Sequence, residues 1–156
     1  MAAYKYEFSI KGYHKVDAQI VGEMIEGMNE KGIEVTPEVL LDASRDESSP
    51  THCEFEWDDT VAAEKYRVQQ ATDLIRHIRI IREEAKEQEY KERGFVPIPG
   101  GKNVYVPLQK ALGKEEYRNF LLKQAENDMQ IFLAKYRRVE ELTNITKAMQ
   151  EYLEVS

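Results

Sequence analysis

The sequence predicts an α+β fold that is predominantly α: N-terminal helices, a small antiparallel three-stranded sheet, and a long C-terminal helix or helical hairpin. Three observations carry this. Apolar residues recur at helical spacing through the first third, β-branched and arginine residues alternate at 77–82, and a long apolar stripe runs from Tyr117 to Tyr152.

At the start, residues 4–10 alternate aromatic and polar positions and read as a short strand. Asp17 caps a helix to about Asn29, with Ile20, Met24, Ile25 and Met28 on one face, and Lys31-Gly32 ends it. Thr36-Pro37-Glu38 starts a shorter helix to about Ser44, combining a capping hydroxyl, a proline at the first position and an acid at the positive end of the dipole. Residues 45–58 form a polar loop. Asp58 or Asp59 then caps a third helix over about 60–76, with Ala63, Tyr66, Ala71, Leu74 and Ile75 facing inward.

Residues 77–82 read as a strand. The following charged run, 83–93, has helix-forming composition but no apolar stripe, so solvated helix and strand connection both stand. Phe95-Val96-Pro97-Ile98-Pro99 and Asn103-Val104-Tyr105-Val106-Pro107-Leu108 flank Gly100-Gly101 and read as a hairpin. With residues 77–82 this makes the three expected strands. A continuous final helix of about forty residues would span about 60 Å, too long for a compact domain. It either breaks, with Thr143-Asn144-Ile145-Thr146 the expected place, or projects and pairs with another copy. The expected organisation is one domain over 1–156, with an acidic helical part (1–76), a small sheet (77–108) and a C-terminal oligomerisation helix (109–156) centred on Met129, Phe132, Tyr136, Val139 and Leu142.

Composition narrows the function classes. The chain has 156 residues, 42% apolar and 33% charged, which suits one folded domain rather than a disordered segment. No apolar run is long enough for a membrane span, and the first residues lack a signal-peptide pattern. One cysteine, Cys53, excludes an internal disulfide and fits a reducing compartment, so the expected location is cytoplasmic. Phosphate-loop, dinucleotide and metalloprotease motifs are absent from the sequence. That favours a non-enzymatic role, with neither cofactor nor metal expected.

The net charge of −7 is unevenly spread. Residues 1–60 carry −9, whereas 61–82 carry +3. Arg67, Arg76, Arg79 and Arg82 supply that basic island. A guanidinium grips phosphate with two parallel hydrogen bonds, so these four are the candidate nucleic-acid contacts. On a strand Arg79 and Ile81 share one face, with Ile78, Ile80 and Arg82 on the other. Internal pairing with the surplus acids is the plainer alternative. The opposite reading takes Glu54, Glu56, Trp57 and Asp58 as a partner-binding surface, an acidic phosphate mimic for the basic groove of a host defence nuclease or CRISPR effector. For this stretch the plainer alternative is that Phe55 and Trp57 plug the core. A self-assembling structural protein is the third reading.

The segments Thr36-Pro37-Glu38-Val39-Leu40, Ser48-Ser49-Pro50-Thr51-His52, Phe55-Glu56-Trp57-Asp58-Asp59 and Ala62-Ala63-Glu64-Lys65-Tyr66-Arg67, with Tyr105-Val106-Pro107-Leu108 and the terminal helix, carry a resemblance over most of the chain. The chain resembles a family of small, functionally unassigned proteins of tailed phages and prophages. The resemblance implies a phage gene expressed in a bacterial host cell, and it transfers no functional residue. The charged run 83–93 is less strand-like than that family's pattern.

Overall fold

The computed structural model describes residues 4–61, 63–83, 89–100 and 102–156. Its architecture is α+β and predominantly α, in two compact units, Met1–Leu112 and Gly113–Ser156.

The first unit is built on strand β1 (Lys5–Phe8), helices α1 (Ala18–Glu30), α2 (Pro37–Ser44) and α3 (Glu64–His77), and strands β2 (Ile78–Glu83), β3 (Glu89–Arg93), β4 (Phe95–Pro97) and β5 (Tyr105–Pro107). Helix ends follow local chemistry. The Asp17 carboxylate accepts from the Gln19 amide at 2.8 Å, and Gly32 takes φ +77° just beyond α1. Thr36 Oγ1 accepts from the Val39 amide at 3.1 Å, ahead of Pro37. Helix α3 departs from expectation. It begins at Glu64 with no side-chain cap. Asp58 instead closes a turn on Thr60, accepting from its amide at 2.9 Å, while Asp59 pairs with Arg67. With the start displaced, Ala63 and Tyr66 lie exposed, whereas Ala71, Leu74 and Ile75 are fully buried.

A three-stranded antiparallel sheet forms, in the order β1-β2-β3. Its membership differs from the expected one. Residues 95–97 and 105–107 pair with each other, Val96 opposite Val106, and make a separate ribbon, to which Val35 adds a single bridge at Tyr105. Both edges of β2 are already occupied by β1 and β3, and Pro97 and Pro107 cannot donate to a further ladder. Gly100, at φ +130°, lies in the ribbon's turn, and Gly101 is outside the described residues. The charged run is neither the solvated helix nor merely the strand connection expected: Glu83 ends β2, and residues 89–93 are β3, paired Arg79 to Arg93 and Ile81 to Lys91. Pairing along a ready strand edge overrides helical composition there. Residues 84–88 are outside the described set.

Helix α1 crosses the inner sheet face at Tyr6, whose ring stacks on Phe95 with centroids 6.1 Å apart. Val21, Ile25, Leu40, Leu41, Leu74, Ile75 and Ile78 complete a closed core. The Tyr6 amide donates to Gln19 Oε1 at 2.9 Å and its hydroxyl to Glu26 Oε2 at 2.8 Å, so the buried polar ends are paired. Burial, reinforced by Glu26, pushes the Tyr6 phenol well above the ordinary tyrosine range.

A short helix, α4 (Leu108–Gly113), leads to the second unit, a hairpin of α5 (Glu115–Tyr136) and α6 (Thr143–Val155). The stripe does break, but before Thr143. Val139 is extended, and a 3₁₀ turn over Glu140–Leu142 reverses the chain. The threonines lie instead in the first turn of α6, with their hydroxyls satisfied by preceding carbonyls: Thr143 by Glu140 at 2.6 Å, and Thr146 by Leu142 at 3.2 Å. Leu133 is the one buried apolar side chain of α5. Among the described residues no helix is long and apolar enough to cross a membrane.

Candidate functional site

Strand β1 ends at Phe8, and the Ser9 amide donates to the His77 carbonyl at 2.8 Å, where α3 passes into β2. This pins the loop between β1 and α1 against the end of α3. Gly12 reverses the loop at φ +77° and returns it past the same point. His14 is thereby carried next to His77, with its ring 4.2 Å from that of Phe8 between centroids. On the other side lies the 3₁₀ turn His52–Glu54, which presents Glu54.

These three side chains form a hydrogen-bonded chain. Glu54 Oε1 lies 2.6 Å from His14 Nδ1, and His14 Nε2 lies 2.8 Å from His77 Nδ1. The other carboxylate oxygen of Glu54 accepts from the Lys15 and Val16 amides at 2.8 and 3.3 Å. The His14 side chain is 1% exposed and that of Glu54 9%. Burial alone would raise the Glu54 carboxyl, but the bonds from His14, Lys15 and Val16, with the His14 charge, hold it below the ordinary range. His77 is held below the ordinary imidazole value, first by burial and then by the charges of His14, Arg79 and Arg76, against the opposing pull of Asp73.

Beside this chain a cleft of about 310 Å³ opens, walled by Tyr13 and Lys15 of the loop, Glu56, and Tyr66, Gln69 and Asp73 of α3. Its floor includes His14 and Glu54. A hydrogen-bonded imidazole pair has the chemistry to pass a proton, and the tyrosine rings and carboxylates offer stacking and hydrogen-bonding surface. Among the described residues no group of three His, Cys, Asp or Glu side chains is arranged to hold a metal ion.

The four arginines do not converge. Arg67 is 6% exposed: its Nε donates to the Glu56 carbonyl at 2.8 Å, it pairs with Asp59 and Glu64, and its guanidinium lies 5.6 Å from the Trp57 ring centroid. Its bond to Asp59 is the largest influence raising its proton affinity. Arg82, on the inner sheet face, pairs with Glu92 and lies over the Tyr4 ring. Arg76 is exposed at the end of α3, and Arg79 lies on the outer sheet face, donating to the Arg76 carbonyl at 2.6 Å. That face also carries Lys5, Glu7, Ile81, Lys91 and Arg93, by the strand register.

The segment 50–59 is mainly a structural knot. Phe55 is buried, and Trp57 packs partly buried on the core, donating to the His52 carbonyl at 2.9 Å and stacking on the His52 ring at 4.8 Å. Glu54 is turned inward to His14, Glu56 is half-buried and Asp58 is exposed. Cys53 is exposed as a free thiol. In the hairpin, Tyr136 and Val139 are exposed, while Met129, Phe132 and Leu142 are half-buried.

Sequence reading did not find the Glu54-His14-His77 chain. Its members stand 40 and 63 residues from His14, in unrelated local contexts, and no spacing rule joins them. The usable signal is only that two of three histidines border segments whose aromatic or β-branched residues mark them for the core.

Fold and site together define a small α+β protein with a partly buried carboxylate-imidazole-imidazole chain beside a polar cleft. No family model, curated protein or solved structure matches the chain.

Proposed function

We propose that this protein binds the phosphate backbone of nucleic acid, without catalysis, through the outer face of the β1-β2-β3 sheet. One observation carries the reading. Two adjacent cross-strand rungs, Glu7-Arg79-Arg93 and Lys5-Ile81-Lys91, place four cations around a single carboxylate, with Arg76 at the adjoining helix end. That carboxylate, Glu7, pairs with Lys91. None of these side chains is buried. Glu83 and Glu89 follow on the next rung and limit the patch to one end of the sheet. A focused patch suits an acidic protein, because phosphate contact depends on local rather than net charge. Of the four arginines expected from sequence, Arg76 and Arg79 belong to this surface, whereas Arg67 and Arg82 are committed to internal carboxylates.

Self-association through the α5-α6 hairpin would multiply such contacts, and the exposed Tyr136 and Val139 support it. The resemblance on residues 36–67 supports a phage setting in a bacterial host. The phosphate-mimic alternative draws less support. Part of the acidity of the first third is already engaged: Glu54 by His14 and Glu26 by Tyr6 against the core, and the exposed Asp59 and Asp42 by Arg67 and Arg45.

Fluorescence anisotropy with labelled single- and double-stranded oligonucleotides tests the proposal. Binding at low salt should fall with a log-log slope of about −3 to −4, as expected for about four phosphate contacts. The double variant Arg79→Glu with Lys91→Glu should weaken it at least tenfold. Absence of binding at about 20 mM salt, well below physiological strength, refutes it.

A further inference from the structure

We propose that the His14-His77 pair is a proton-operated latch: it closes one wall of the cleft when it shares a proton and releases that wall when both rings are charged.

Protons can be counted along three hydrogen bonds. Glu54 Oε2 accepts two amides, so the carboxylate is an acceptor throughout, and Oε1 must meet an N–H on His14 Nδ1. Between His14 Nε2 and His77 Nδ1, 2.8 Å apart, there is room for one proton. Among the described residues His77 Nε2 meets no hydrogen-bond partner, and no buried side-chain nitrogen or oxygen lacks one, so this atom is reached by solvent. The neutral pair therefore carries protons on His14 Nδ1 and in the shared position. A first proton from water adds at His77 Nε2 and costs no bond, because the shared proton remains on one side or the other. A second proton leaves N–H groups on both facing atoms, and the bond between the rings is lost.

The charges around the pair oppose that second proton. Arg76 and Arg79 flank His77 from α3 and β2, with Asp73 the one carboxylate acting against them; Glu54 serves His14 from the 3₁₀ turn. The remaining neighbours are the rings of Phe8 and Tyr13. Lost with the bond is one anchor of residues 9–16, the one that joins the loop to the end of α3 through side chains. This loop is exposed at Ile10 and Tyr13 and supplies Tyr13, His14 and Lys15 to the cleft. Its other ties are the His14 ring to Glu54, which persists when both rings are charged, the Ser9 amide to His77, and the Lys15 and Val16 amides to Glu54. Two imidazolium rings in contact push this wall outward while the core beneath it, closed by Ile25, Leu74 and Ile75, stays intact.

An NMR titration of the uniformly ¹⁵N-labelled full chain from about pH 8 to about pH 4.5, spanning the ordinary histidine range, is decisive. Ring nitrogens are assigned individually, so His52 is separate. The expected result is coupled titration of His14 and His77 in two steps. In the second step the Lys15 and Val16 amides should exchange at least tenfold faster than pH alone predicts, while Ile75 stays protected. Independent single-site titration of the two rings overturns the proposal. So does unchanged protection of Lys15 and Val16 once both rings are charged, or loss of Ile75 protection in the same step. His77→Gln supplies a second arm: its amide donates to His14 but does not titrate, so the acid opening should vanish. If a folded His77→Gln protein opens at the same pH as the parent, the latch lies elsewhere.

Discussion

The Tyr6 ring lies so close over Gly22 that a Cβ at position 22 would stand 2.3 Å from Tyr6 Cγ. Glycine is thus what lets α1 rest on the sheet. Tyr6 has no alternative seat, since its hydroxyl is held by Glu26 and its ring by Phe95. Alanine is the better helix former by about 1 kcal/mol in an open position. At residue 22 the clash should reverse that sign. Gly22→Ala is expected to lose about 1–3 kcal/mol, the usual cost of overpacking a closed core. Gly27, in the same helix, faces open space where a Cβ would stand, and Gly27→Ala should gain up to about 1 kcal/mol. Urea unfolding of the two variants should show opposite midpoint shifts.

Glu54 should matter far more for stability than its place in a polar loop suggests. Glu54→Ala leaves the Lys15 and Val16 amides and His14 Nδ1 without their acceptor. The Lys15 amide is exposed and turns to water, but the His14 ring and the Val16 amide are sheltered, and donors stranded in this way cost about 1–3 kcal/mol, a loss that calorimetry at neutral pH should show.

Stability should fall with acid in two stages. His77 is lower in the folded state than in the unfolded chain, so below about pH 6.5 the unfolded chain binds more protons and stability declines as pH falls. Glu54 is also depressed, and its contribution is present above about pH 4.3 and is lost as pH falls through its folded value. Chemical denaturation at several pH values should show both stages, with His77→Gln flattening the upper one. A single transition confined below about pH 4, under the ordinary carboxylate range, would contradict this.

Arg67 and Arg79 should separate cleanly. Arg67→Ala removes the partner of Asp59 and Glu64 and the cation over Trp57, so it should lower the urea midpoint and quench or shift tryptophan emission. Arg79→Ala should leave emission unchanged and weaken oligonucleotide binding. Equal effects of the two on stability would remove the distinction between the buried arginine and the surface one.

The hairpin offers a further contrast. Tyr136→Glu with Val139→Glu places charge on exposed apolar positions without touching the buried Leu133. Helix content should hold, while light scattering should report a smaller species than the parent chain. If the parent is itself monomeric at about 100 μM, a concentration typical of weak association, the hairpin is not an association surface.

Much of the frame was legible one segment at a time. Asp17, Thr36-Pro37 and Gly32 set helix boundaries through hydrogen bonds spanning two or three residues, and such bonds need no knowledge of the rest of the chain. The alternation at 77–82 likewise identified β2 and the face shared by Arg79 and Ile81. What the sequence left open was decided at long range. Residues 89–93 became a strand because β2 offered an unpaired edge, and the proline-bearing ribbon stayed apart because both edges of β2 were then taken. Arg67 went inward because Glu56, Asp59, Glu64 and Trp57 meet around it only after the loop folds over α3. The Glu54-His14-His77 chain belongs to the same class. Residue order determined the helices and turns whose ends are capped locally, and the strand character of β1 and β2. Only tertiary packing determined which distant charges would meet, because the free energy of a buried carboxylate or imidazole depends on the partners that replace water around it.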